Sequence, residues 1–154
     1  MIGYMIKNTL SDFGSVSRGI CEVDEKDYLI DIVERTKIER INGTISFYDD
    51  VSKSVSLAEE TTVSMNFWGF TPAMFGHLER YFTEFIHENI NNHKAEFYIP
   101  TPVNTMIHNN LGSVKVITTS SKWFGITYQE DRPEVVESIQ NLVKQGIYPD
   151  NLWK

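Results

Sequence analysis

Residues Gly19–Thr36 read GICEVDEKDYLIDIVERT, and the fold turns on this stretch. Ile20, Cys21 and Val23 form a first strand, Asp24 to Asp27 supply an acidic turn, and Leu29, Ile30, Ile32 and Val33 make the return strand. The pattern predicts a β-hairpin over residues 18–34 that stops on Glu34 and Arg35. Adjacent side chains on a strand point to opposite faces. A Glu-Arg step can therefore set a carboxylate towards a cleft while the guanidinium braces it or reaches a phosphate from the rim. The plainer alternative is a solvated strand end, where most charge pairs lie.

Upstream, residues 1–14 read as an irregular lead-in. Ile2, Met5, Ile6 and Leu10 suit either a short amphipathic helix or the remnant of an element whose partners lie elsewhere. Downstream, 37–60 reads as a polar excursion with its own hairpin, because Thr44–Tyr48 and Ser54–Leu57 alternate around Asp49-Asp50. Residues 62–70 follow as an aromatic-rich strand. Pro72 opens a helix to about Asn89 whose Met74, Leu78, Tyr81, Phe82 and Phe85 fall at helical spacing, a stripe expected to pack in the core. Then come a short extended piece at 94–99, a helix at 102–109 and a strand at 113–118. A last helix starts near Asp131, where Asp131 and Glu134 have capping-box spacing, and stops at Gly146.

The order is α/β, and 154 residues with 41% hydrophobic side chains are enough for one core. One domain over 1–154 is expected. The net charge of −7, with 21 acidic residues among dispersed basic ones, argues against a nucleic-acid surface. It leaves room for a nucleotide in a locally basic pocket. No apolar run reaches membrane-span length, so no membrane partner is expected. The single cysteine, Cys21, cannot make an internal disulfide, which fits a cytoplasmic location.

Other chemistry finds little support. His77, His87, His93 and His108 share no ligand spacing with Cys21, which argues against zinc. Ser120-Ser121-Lys122 lacks a G-x-S-x-G elbow. Trp68 and Trp123 have two open roles, stacking on a sugar or base and ordinary packing. Asn66 is open between sugar contact and backbone pairing.

The stretch from Gly19 to Thr36 resembles the segment G-Y-G-V-V-E-F-D-E-x-G-x-V-x-x-x-E-K-P of sugar-phosphate nucleotidyltransferases, such as glucose-1-phosphate thymidylyltransferases and other NDP-sugar pyrophosphorylases. Three later segments keep the family's order. Val63 to Phe70 is similar to the strand that carries an Asn or Thr before Gly and an aromatic. EFYIPT, Glu96 to Thr101, resembles E-Y-Y-L-T-D, and WFGIT, Trp123 to Thr127, resembles W-x-D-x-G-T. The likeness spans roughly 14–148.

The resemblance implies the C-terminal part of a Rossmann-like three-layer nucleotidyltransferase fold, with a mixed sheet and flanking helices. It implies a substrate-binding set of Gly19, Glu34, Arg35, Asn66 and Trp123. Gly19 lets the sugar approach the backbone, Glu34 and Asn66 hold hydroxyls, and Arg35 stands for a lysine at the sugar phosphate. Magnesium is the implied cofactor of the complete enzyme, yet Thr101 and Gly125 stand where the family has carboxylates. The family's G-x-G-x-R nucleotide loop has no counterpart among these scattered glycines. The implied reaction transfers a nucleotidyl group from an NTP to a sugar-1-phosphate and releases pyrophosphate. The expected partners are those substrates, with a separate nucleotide-binding half or a second copy of the chain. The alternative is a non-catalytic sugar- or partner-binding module.

Overall fold

A computed structural model describes residues 1–49, 51–126 and 128–151. The chain is a mixed α/β structure in which the strands β1 (Ile2–Met5), β2 (Val16–Val23), β3 (Leu29–Ile41), β4 (Thr44–Tyr48), β5 (Ser54–Leu57), β6 (Thr62–Ser64) and β7 (Ile117–Thr119) form one sheet. Its order is β5-β4-β3-β2-β6-β1-β7. Only β1 and β7 pair in parallel; the other neighbours are antiparallel. Among the described residues three α-helices accompany it, α1 (Ala73–Asn89), α2 (Pro100–His108) and α3 (Arg132–Lys144), with short 3-10 turns at Ile6–Asn8 and Gln129–Asp131.

The β2–β3 hairpin forms around the expected turn. Asp24 closes it, its carboxylate accepting the backbone N–H of Lys26 at 2.9 Å and of Tyr28 at 2.7 Å. The return strand does not stop at Glu34 and Arg35, however, but runs on to Ile41. What ends it is Asn42-Gly43, both at positive φ (50° and 84°), a two-residue turn whose twist suits a hairpin into β4. Ile38 is fully buried at 0% exposure, so the apolar pattern persists beyond the charged step.

Four other expectations need correction. Residues 1–14 are irregular only from Thr9 on: Ile2–Met5 is β1, which lies between β6 and β7, and Ile6–Asn8 makes a single 3-10 turn in place of an amphipathic helix, with Ile6 fully buried. The strand expected over 62–70 ends at Ser64, because Asn66 turns the chain at φ 56°. The extended piece at 94–99 and most of 113–116 join no strand, since β7 begins only at Ile117. The Asp131–Glu134 capping box is not made. The Asp131 carboxylate instead accepts the Tyr128 N–H at 2.7 Å and the Ser11 hydroxyl at 2.9 Å. Part of the 49–50 turn and the end of WFGIT lie at Asp50 and Thr127, outside the described residues.

Two apolar clusters fill the two sides of the sheet. Cys21, Leu29, Ile32 and Val116 pack with Met74 of α1 and Val103 of α2. Ile6, Val16 and Val63 pack with Ile38, Ile45 and Phe47 from the β3–β4 end. The helical stripe on α1 is only partly core. Met74 is its one buried residue, whereas Phe82 is 48% exposed and rests against Phe97, ring centroids 5.4 Å apart. Its far turns leave Phe82 and Ile86 substantially exposed, not in the core where the stripe was expected to pack.

Among the described residues no helix is long and apolar enough to cross a membrane.

Candidate functional site

Cross-strand register assembles the site. Gly3 and Gly19 each pair with Ser64, and Gly19 also pairs with Glu34. Residues opposite one another on neighbouring strands share a face. Gly3, Ser64, Gly19 and Glu34 therefore form one row across four strands, with little side chain until the carboxylate at its end. Gly19 is held to this size by its neighbours: a Cβ there would lie 3.0 Å from Ile32 Cδ1 and 3.3 Å from Ser64 Cβ.

Glu34 is the most informative group in the row. It is half-buried, and loss of water pushes its carboxyl above the usual carboxylate range, opposed by the positive charge of Arg18. No hydrogen bond from any described residue reaches that carboxylate. Cys21, two residues from Gly19 and so on the same face, is buried, and desolvation pushes its thiol up to about 12. It is a packing residue at neutral pH, not a nucleophile.

Asn66 borders the row. Its backbone N–H donates to Ser64 Oγ at 3.1 Å, and its Oδ1 accepts Trp68 Nε1–H at 3.4 Å, so its amide NH₂ keeps its donors. Tyr98 donates its hydroxyl to Glu96, which with the negative charge of Glu34 raises the phenol above its ordinary range. The EFYIPT segment thus reaches the vicinity of Glu34.

Arg35 and Trp123 lie on the other side of the sheet. The Arg35 guanidinium sits 5.1 Å from the centre of the Phe47 ring, within the second apolar cluster. Directly opposite it in the β2–β3 pair is Arg18, which is 8% exposed. Arg18 donates Nε–H to Thr9 Oγ1 at 3.2 Å, Nη1–H to Ser17 O at 2.7 Å and Nη2–H to Thr9 O, while Trp123 covers it at 5.2 Å. Burial pulls this guanidinium down to about 10, with Glu34 opposing. Sequence reasoning overlooked Arg18, although an arginine that alternates with exposed Ser17 and stands beside Gly19 and Ile20 of β2 signals a buried, hydrogen-bonded charge.

The register therefore pairs Gly19 with Glu34 and separates them from Arg35 and Trp123, while Asn66 touches the row through its N–H to Ser64 Oγ. Thr101 is exposed in the first turn of α2 and offers a neutral hydroxyl. At Gly125 an added Cβ would strike the Trp123 ring at 2.4 Å. Magnesium favours carboxylate oxygens, and these two positions supply none, so they do not fit that ion. Among the described residues no group of three His, Cys, Asp or Glu side chains converges.

Apart from this row, a cavity of about 570 Å³ opens between the 67–71 segment, α1, α2 and β7. It is lined mainly by apolar side chains, among them Phe67, Trp68, Met74, Met106 and Ile117, with Trp68 stacked on Phe70 at 5.7 Å.

No protein-family model matches the chain, and no curated protein matches it.

Proposed function

We propose that this chain binds the sugar end of a sugar-1-phosphate, as the sugar-binding part of a nucleotidyltransferase site. The observation that carries the reading is Glu34. Its carboxylate is half-desolvated and free of hydrogen bonds from the described residues, directly across the strand pair from Gly19. Folding alone gains little from such an arrangement, because a carboxylate held half out of water with no protein donor loses part of its hydration uncompensated. A polyol ligand supplies the missing donors, and its ring approaches most closely where the facing residue has no side chain.

The division of labour follows from the donor and acceptor inventory. Ionised Glu34 accepts two sugar hydroxyls, the Asn66 NH₂ donates to a third oxygen, and Gly19 sets the approach distance. Each hydroxyl bonded to Glu34 favours its charged form and so offsets the desolvation that raised its pKa. Catalysis in nucleotidyl transfer is mostly positioning and charge neutralisation, and this face contributes positioning. Arg18 sits behind the row as a fixed positive charge sensed by Glu34. It steadies the carboxylate electrostatically and, being buried with its own acceptors, does not serve as a phosphate hook.

The wider reading also places this α/β chain in the C-terminal part of the three-layer nucleotidyltransferase fold, in a cytoplasmic protein. The direct test is titration calorimetry with a panel of sugar-1-phosphates. Saturable binding lost in Glu34→Ala supports the proposal, and heats unchanged by that substitution refute it. Pyrophosphate release from NTP and sugar-1-phosphate, measured with the chain joined to a G-x-G-x-R nucleotide-binding half, then tests transfer itself.

A further inference from the structure

We propose that this chain pairs with a second copy of itself through the apolar hollow beside β7. The surface area gives the first argument. The chain exposes 10740 Å², whereas a compact monomer of this mass exposes about 8,000 Å². The excess, about 2,700 Å², is close to what one subunit of an obligate homodimer buries, about 1,000–2,500 Å².

Exposed apolar side chains gather around one site. Phe67 (60% exposed) and Ile117 (61%) stand at the 570 Å³ hollow, and Phe75 (66%) follows the lining residue Met74 on α1. Projecting aromatics next to an apolar hollow on the same patch are self-complementary. In a twofold arrangement Phe67 of each copy enters the hollow of the other. The open edge adds backbone groups: β7 pairs with β1 on one side and is the last strand of the sheet on the other. A parallel pair is ordinarily covered, and a bare edge is a template for pairing.

Charge decides in favour of a second copy. Each chain carries −7, which would oppose self-association if carboxylates met. Among the described residues no carboxylate lines the hollow, however; the ionisable side chains there are His77 and Lys115, and Lys115 already holds Asp27 at 3.1 Å. Two hollows can meet without opposing acids. The same net charge disfavours an anionic membrane surface as the occupant.

Sedimentation velocity of the intact chain over about a hundredfold concentration range tests the proposal. The expected result is a species of twice the 17.8 kDa chain mass, with dissociation on dilution strengthened about tenfold or more in Phe67→Asp and in Ile117→Lys. Tyr48→Asp, at an equally exposed aromatic on β4, should leave the dimer intact. A wild-type monomer throughout, or a dimer indifferent to both hollow substitutions, overturns it. Circular dichroism confirms folding of each variant, and should Phe67→Asp unfold, Ile117→Lys decides alone. Glu34 is outside the hollow, so a sugar-1-phosphate titration of the monomeric variants scores the sugar-binding reading separately.

Discussion

Replacing Glu34 by Gln should make the protein more stable at neutral pH and, on the proposed reading, weaken binding of a sugar-1-phosphate. Gln keeps the shape and removes the charge that is held half out of water. The sign follows from linkage. Because the folded state raises this carboxyl above its unfolded value, the native protein holds the proton more readily than the unfolded chain does. Below the unfolded value both states are protonated and the charge costs nothing. The penalty grows as pH climbs from there through the raised folded value, and is complete above it. Glu34 is about half exposed, so solvent screening limits the penalty to a fraction of what a fully buried acid would show, about 0.5–1 kcal/mol. For a chain of this length that corresponds to a rise of about 1–4 °C in melting temperature. The assay is urea unfolding of wild type and Glu34→Gln at pH 7 and again near the carboxylate range. The advantage of the variant should be present at pH 7 and shrink as pH falls. A variant less stable than wild type at pH 7 would refute the reasoning, because the carboxylate would then be serving the fold.

Three further outcomes follow from burial and bonding. Ile45→Ala should cost about 2–5 kcal/mol in urea unfolding, since Ile45 is 1% exposed, while Phe75→Ala, at a 66% exposed residue, should change monomer stability by less than about 0.5 kcal/mol. Arg18→Lys should lose about 1–3 kcal/mol, because a point-like ammonium cannot serve Thr9 and Ser17 with the fork that now bonds three acceptors. Cys21, with its thiol pushed up to about 12, should resist alkylation at pH 8 in the native protein and react once urea unfolds it; reaction at the rate of a free thiol would contradict its burial.

Local chemistry made the central hairpin legible. Asp24 advertised its turn, and alternation at Thr44–Tyr48 and Ser54–Leu57 marked the next pair of strands. Long-range pairing was not legible. Nothing within Ile2–Met5 states that it will sit between β6 and β7, because those partners are about 60 and 115 positions away along the chain. The end of β3 was misplaced because Glu34-Arg35 looks like a boundary, whereas the Asn42-Gly43 turn sets it. At the site, Gly19 and Glu34 could be joined by hairpin register. Separating Arg35 and Trp123 from them required knowing which face the second cluster occupies, and strand alternation at Arg35 already hinted at it. Arg18 went unnoticed because Thr9, which supplies two of its three acceptors, stands nine residues away and becomes a neighbour only when the segment before β2 folds back against it.

The most direct test of the sugar-binding account is an amide chemical-shift titration with a sugar-1-phosphate. The account predicts saturable shifts concentrated at Gly19, Ser64, Glu34 and Asn66, absent in Glu34→Ala. Shifts confined to the Arg35 and Trp123 side of the sheet, or none with any sugar-1-phosphate tried, would contradict it.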